Sequence, residues 1–140
     1  MYEYKKAEGK YFLSIANHCE ISEALAAFCK EMNIMSGEIY GLGAVNKVVL
    51  RFLNPATKKY EDLIFNEQME MSNLTGNISR KDGEVYLHLH ATFGRSDCSA
   101  IAGHLFTAVI SGACELVVIP SEAEIGRKFD EETGLNLYSF

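Results

Sequence analysis

The chain has 140 residues, 48% of them hydrophobic and 23% charged, and carries a net charge of −6 at neutral pH. That length suits one domain with a real hydrophobic core, and the composition is that of a globular protein rather than a disordered or fibrous one. The acidic balance argues against a surface that grips nucleic acid throughout, because duplex binding draws on many Lys and Arg contacts to phosphate. The densest basic pairs, Lys5–Lys6 and Lys58–Lys59, are short and read as solvated loops. No apolar run approaches the roughly 18–20 residues of a membrane-spanning helix. The opening "MYEYKKAEGKYFLSIA" has no apolar core of a secretory signal. The expectation is a cytoplasmic protein without membrane association. Its four cysteines, Cys19, Cys29, Cys98 and Cys114, form no C-x-x-C pair and read as reduced thiols. The sequons at Asn73 and Asn77 then carry no weight.

Along the chain, "KYFLSIA" (10–16) alternates Tyr11, Leu13 and Ile15 on one side and predicts a strand. "NHCEISEALAAFCKEMN" (17–33) predicts a helix, with Ile21, Leu25, Phe28 and Met32 as its apolar stripe. Asn17 and Glu20 are spaced as a capping box. The period then changes to two. "GEIYGLGAVNKVVLRFL" predicts a strand bent near Gly41–Gly43, "NPATKK" a turn broken by Pro55, and "YEDLIF" the partner strand. A strand from Gln68 to Ser79 leads into the turn "RKDG", whose Asp-Gly is a strong hairpin signal, and into the strand "EVYLHLHATFG" (84–94). After the loop "RSDCSA", the end of "IAGHLFTAVISGACELVVIP" is a strand, while its front half fits strand, turn or short helix. The tail from Ser121 to Phe140 is polar, then apolar at its tip. It reads as a C-terminal extension that docks on a single domain spanning 1–140. The sum is an α+β class: a mostly antiparallel sheet with one main flanking helix.

Three of the four histidines fall within residues 88–104. On a strand, residues i and i+2 project from one face. His88 and His90 therefore point the same way, beside Tyr86 and Thr92, while Val85, Leu87, Leu89 and Ala91 face the core. His104 follows a loop long enough to bring the chain back alongside. Two such imidazoles can converge on one ion, and a third completes a set of neutral nitrogens with one open position, the pattern of a catalytic-type zinc site. Imidazole also suits iron, nickel or copper. The competing reading is a set of surface or interface histidines with ordinary hydrogen bonds. His18 reads as capping or solvent-facing. Glu115, an odd charge in "CELVV", is either a partner that orients an imidazole, a general base, or a solvent-facing residue. Asp97 and Cys98 are loop residues within chain reach of a metal, and Arg95 is a weak candidate for an anion. "GLGAVN" is no dinucleotide loop, because strand-like "KVVLRFL" follows it instead of a helix. The chain also lacks G-x-S-x-G, a P-loop and H-E-x-x-H, so the leaning is away from an enzyme.

"HLHATFG", "GHL" and "CELVVIP", preceded by "LTGNIS" and followed by "FDEETGLNL", resemble the plants and prokaryotes conserved (PPC) domain family. The likeness runs from about residue 10 into the tail, and "GEIYGLGAVNKVVL" resembles the family's glycine-containing strand. The resemblance implies a compact α+β fold assembled as a homotrimer. It also implies one divalent metal per subunit, zinc foremost with iron or nickel as alternatives, on His88, His90 and His104. Plant members join this domain to a basic Arg-Gly-Arg-Pro hook that enters A·T-rich DNA, and prokaryotic relatives carry a DNA-binding label by analogy. This chain has no such hook. Three functions follow as expectations: a regulatory or protein-interaction module that binds metal, a DNA-binding protein, and a metal-dependent hydrolase with Glu115 or Asp97 as proton carriers.

Overall fold

A computed structural model describes residues 1–140. The strands are β1 (Tyr2–Ala7), β2 (Lys10–Ile15), β3 (Gly37–Asn54), β4 (Lys59–Phe65), β5 (Met69–Lys81), β6 (Glu84–Gly94), β7 (Ala100–Pro120), β8 (Gly126–Asp130) and β9 (Leu135–Ser139). One helix, α1 (Ile21–Glu31), lies between β2 and β3. Pairing is antiparallel throughout except for a single parallel bridge, Arg80 with Gly126, that ties β8 to β5. The predicted α+β class, with a mostly antiparallel sheet and one helix, is what forms.

The pairings β7–β3, β3–β5, β5–β6 and β6–β7 make a closed circuit. Its core-facing side chains include Val48, Leu50, Met71, Leu74, Leu89, Phe93, Leu105 and Ile110, all buried. The helix buries Ile21, Ala24, Leu25, Phe28 and Cys29 in the same cluster. Phe28 is its anchor, edge-on to Tyr2, Tyr4 and Tyr11 with ring centroids 5.5, 5.5 and 5.3 Å away.

Two details differ from the sequence reading, the helix cap and the N-terminal stretch, and three others take definite form. The helix cap is Glu20, not Asn17. The Glu20 carboxylate accepts from the Ser22 and Glu23 N–H groups at 3.0 and 2.7 Å and from the Ala108 N–H at 2.9 Å. Asn17 is spent elsewhere, its Oδ1 accepting from Gly112 N at 3.1 Å. The N-terminal lysine-rich stretch is strand β1, turned onto β2 by Glu8 and Gly9 at φ 50° and 76°. The predicted Asp82–Gly83 turn has the same left-handed pair, 53° and 83°. The ambiguous front half of the "IAGHL" segment is strand, continuous with "CELVVIP" over 21 residues, because β6 and β3 hydrogen-bond to its two edges. The bend foreseen at Gly41–Gly43 is a register shift in the β3–β5 ladder. The tail folds into the β8–β9 hairpin.

Candidate metal centre

The period-two alternation of β6 is plain in its burial. Leu89, Ala91 and Phe93 are buried, while His90 is exposed and His88 half-buried on the opposite face. His104 lies directly across the β6–β7 ladder from His90, so its side chain leaves the sheet on the same side. The three ring centroids form a near-equilateral triangle: His88–His90 5.2 Å, His88–His104 5.1 Å and His90–His104 5.3 Å. One nitrogen of each ring lies within 4.8 Å of the others, and no Asp, Glu or Cys joins the group. Nitrogens bound tetrahedrally to zinc at 2.0–2.1 Å sit about 3.3–3.4 Å apart. Three imidazole nitrogens gathered within 4.8 Å on two adjacent strands are a donor set whose chemistry fits one ion.

The surroundings favour the neutral form of His88 and His104. Burial lowers the pKa of His104 to about 4, with His88, His90 and Arg51 adding like charge. Burial lowers His88 as well, followed by the charges of His90 and Arg127. A neutral imidazole is the form that ligates. The Tyr60 ring of β4 lies 5.9 Å from His104. Burial, then the neighbouring Tyr86, raises its phenol pKa. Arg51, opposite His104 in the β3–β7 ladder, is held by Asp62 at 2.8 and 3.2 Å and stacks on Phe106 at 3.4 Å.

The other candidates lie elsewhere. Glu115 is exposed beside Leu42 and Ser14, lining a separate surface groove of about 660 Å³. Asp97 accepts from the Ser99 N–H and hydroxyl and shapes its own loop. Cys98 is exposed and stands outside the cluster. Arg95 is paired with Glu67 at 2.6 Å, which removes it as a free anion site. His18 is exposed, with its backbone N–H donating to Ile110 O. Arg127 of β8 was not singled out from the sequence, although it packs on Tyr86 of the histidine strand. The only sequence signal was the Arg127–Lys128 pair within an otherwise acidic tail.

A β-circuit with one capping helix and three convergent imidazoles on its outer face defines a small domain equipped with a candidate metal site. The chain belongs to the Plants and Prokaryotes Conserved (PCC) domain family, whose model matches residues 2–122. Its fold matches a solved candidate DNA-binding protein from Bacteroides thetaiotaomicron with a TM-score of 0.98 and 56% identity, over 100% of this chain and 98% of that one. It matches a protein described as metal-containing from Archaeoglobus fulgidus with a TM-score of 0.88 and 30% identity, over 100% and 99% of the two chains. A plant- and prokaryote-conserved protein from Pyrococcus horikoshii shares the fold with a TM-score of 0.87 at 24% identity, over 100% and 95%. No curated protein sequence matches. No helix of this chain is long and apolar enough to cross a membrane.

Proposed function

We propose that this protein is a homotrimeric metal-binding module that acts through protein contacts in regulation. His88, His90 and His104 hold one divalent ion per subunit, zinc foremost, with iron or nickel as alternatives. The observation that carries this reading is the triangle of imidazoles, none more than 5.3 Å from the next. The metal-containing description of the Archaeoglobus relative supports it. A bound ion supplies a point of positive charge and an open ligand position, and the protein's part is to hold three neutral nitrogens on a rigid ladder. Within this reading residues 1–140 act as one cytoplasmic domain with 121–140 docked on it as a tail. The trimer is supported by Phe12, Tyr40 and Leu42, each between 44% and 51% exposed around the surface groove. Contiguous apolar exposure of that kind marks contact surfaces.

The test is elemental analysis of protein purified without a metal-affinity tag, repeated on His88→Ala, with light scattering on both. Near-stoichiometric metal in the wild type and its loss in the variant are expected, at three chain masses. Unchanged metal in His88→Ala removes the site.

A second reading, DNA binding, draws on the description of the Bacteroides relative. The net charge of −6 weighs against it, as do the carboxylates that neutralise Arg51, Lys81 and Arg95. A gel shift at two salt concentrations decides: phosphate-driven binding must weaken as salt rises, and no shift at low salt ends this reading.

A further inference from the structure

One cation beside the histidines has no carboxylate partner. The ion pairs of the chain are Arg51–Asp62, Lys81–Asp82 and Arg95–Glu67, and Arg127 is in none of them. It is nonetheless fixed. Its guanidinium carbon lies 4.8 Å from the Tyr86 ring and 4.6 Å from the Tyr138 ring. Nε donates to Ser79 Oγ at 2.7 Å, Nη1 to the Asn136 carbonyl at 2.6 Å and Nη2 to Asn77 Oδ1 at 2.8 Å. A guanidinium has five N–H groups, so two are unspent.

Its position follows from the register. Asn77, which it bonds, is the ladder partner of His88, and Tyr86, on which it stacks, precedes His88 by two residues on the same face. Arg51, on the His104 side, is already neutralised by the bidentate contact with Asp62. The cluster itself supplies no negative charge, because all three of its members are histidines. A divalent ion there keeps its full charge, and Arg127 adds another at one flank. Half-buried, uncompensated positive charge with fixed donors is the electrostatic description of an anion site.

We propose that the histidine centre and Arg127 together bind a small oxyanion, a carboxylate or phosphate group that offers one oxygen to the ion and another to the guanidinium fork. Tyr60, 5.9 Å from His104, and Tyr86, two residues before His88 on the same face, flank this centre. This rests on the metal reading above and gives that site a ligand class. The tail hairpin then has a role, since β8 carries Arg127 to a site otherwise built from β6 and β7.

The test loads metal-free protein with Co(II), whose visible spectrum reports its ligands, and titrates it separately with acetate and inorganic phosphate at constant ionic strength. Wild type, Arg127→Gln, Arg127→Lys and, as a remote control, Arg95→Gln are compared. A saturable spectral change is expected with at least one anion, and the stronger arm names the source. Arg127→Gln weakens it roughly 10- to 100-fold, the worth of a charge-assisted bond. Arg127→Lys, which keeps the charge without the fork, falls between, and Arg95→Gln matches wild type. Cobalt affinity in all four stays little changed. No anion response in wild type, or equal affinity in wild type and Arg127→Gln, overturns the proposal. Should Arg127→Gln loosen the hairpin, near-ultraviolet dichroism shows it, and the wild-type against Arg127→Lys comparison then decides. Failure to acquire a cobalt spectrum at all is seen before any anion is added. It sinks the metal reading and this one with it.

Discussion

Gly76→Ala joins the stability of the ladder to the geometry of the histidines. Gly76 of β5 faces Leu89 of β6 and is flanked by the pairs Thr75–His90 and Asn77–His88. A Cβ at Gly76 would stand 2.5 Å from the His88 carbonyl oxygen, 2.5 Å from Leu89 Cδ2 and 3.3 Å from Leu89 Cα. Carbon atoms pack best at about 3.5–4.0 Å, so Leu89 Cδ2 is too close by roughly 1 Å. Leu89 is 2% exposed within a close-packed core and has little room to yield. The strands must therefore part, and His88 and His90 move with β6. Overpacking of this kind costs about 1–3 kcal/mol. A ligand set that tolerates only about 0.2 Å of error in metal distance loses affinity by roughly 10- to 100-fold on such a shift. Urea unfolding in chelator measures the first quantity, and competition with a chromogenic chelator measures the second. Gly94→Ala, on the histidine strand but with its nearest neighbour 3.8 Å away, serves as the control and stays near wild type. Wild-type stability and metal affinity in Gly76→Ala would refute the argument that this close approach positions the ligands.

Three further outcomes are expected. Metal-free protein loses stability as pH falls from about 6.5 towards 4, because His104 is neutral in the fold down to about 4 while the unfolded chain takes up its proton near 6.5. His104→Gln flattens that slope in urea melts at pH 7.5, 6 and 5, and an unchanged slope would assign it to other groups. Glu20→Ala removes the acceptor of three backbone N–H groups and costs about 1–3 kcal/mol in the same melts, whereas Asn17→Ala leaves the helix cap intact. A native thiol titration finds Cys98 reacting first, since it is exposed. Cys29 and Cys114 stay silent until denaturant is added, their thiols buried and pushed up to about 12. Rapid reaction of either buried thiol would place it outside the core.

Local rules carried much of this molecule. Alternation fixed which face of residues 84–94 is buried, helical spacing picked Ile21, Leu25 and Phe28, and Asp82–Gly83 marked a hairpin. These depend on side-chain direction and turn dihedrals that a few neighbouring residues settle among themselves. The H-x-H pair was legible for the same reason. The capping error had a tertiary cause. Glu20 is the cap because its carboxylate also satisfies Ala108 N–H on β7, a strand 88 residues further on.

What the sequence alone determined is the inventory: one amphipathic helix, period-two strands, two histidines locked to one face and a net charge of −6. What only the tertiary structure decided is who meets whom. The Ala-rich front of β7 could have been helix, and became strand because β6 pairs with residues 100–104 and β3 with the residues from His104 onward. That ladder sets His104 opposite His90, and the tail hairpin brings Arg127 onto Tyr86 from 41 residues away in the chain. Local periodicity aims a side chain. Only strand pairing between distant segments, each bond repaid by burial of the shared core, fixes the point at which such side chains converge.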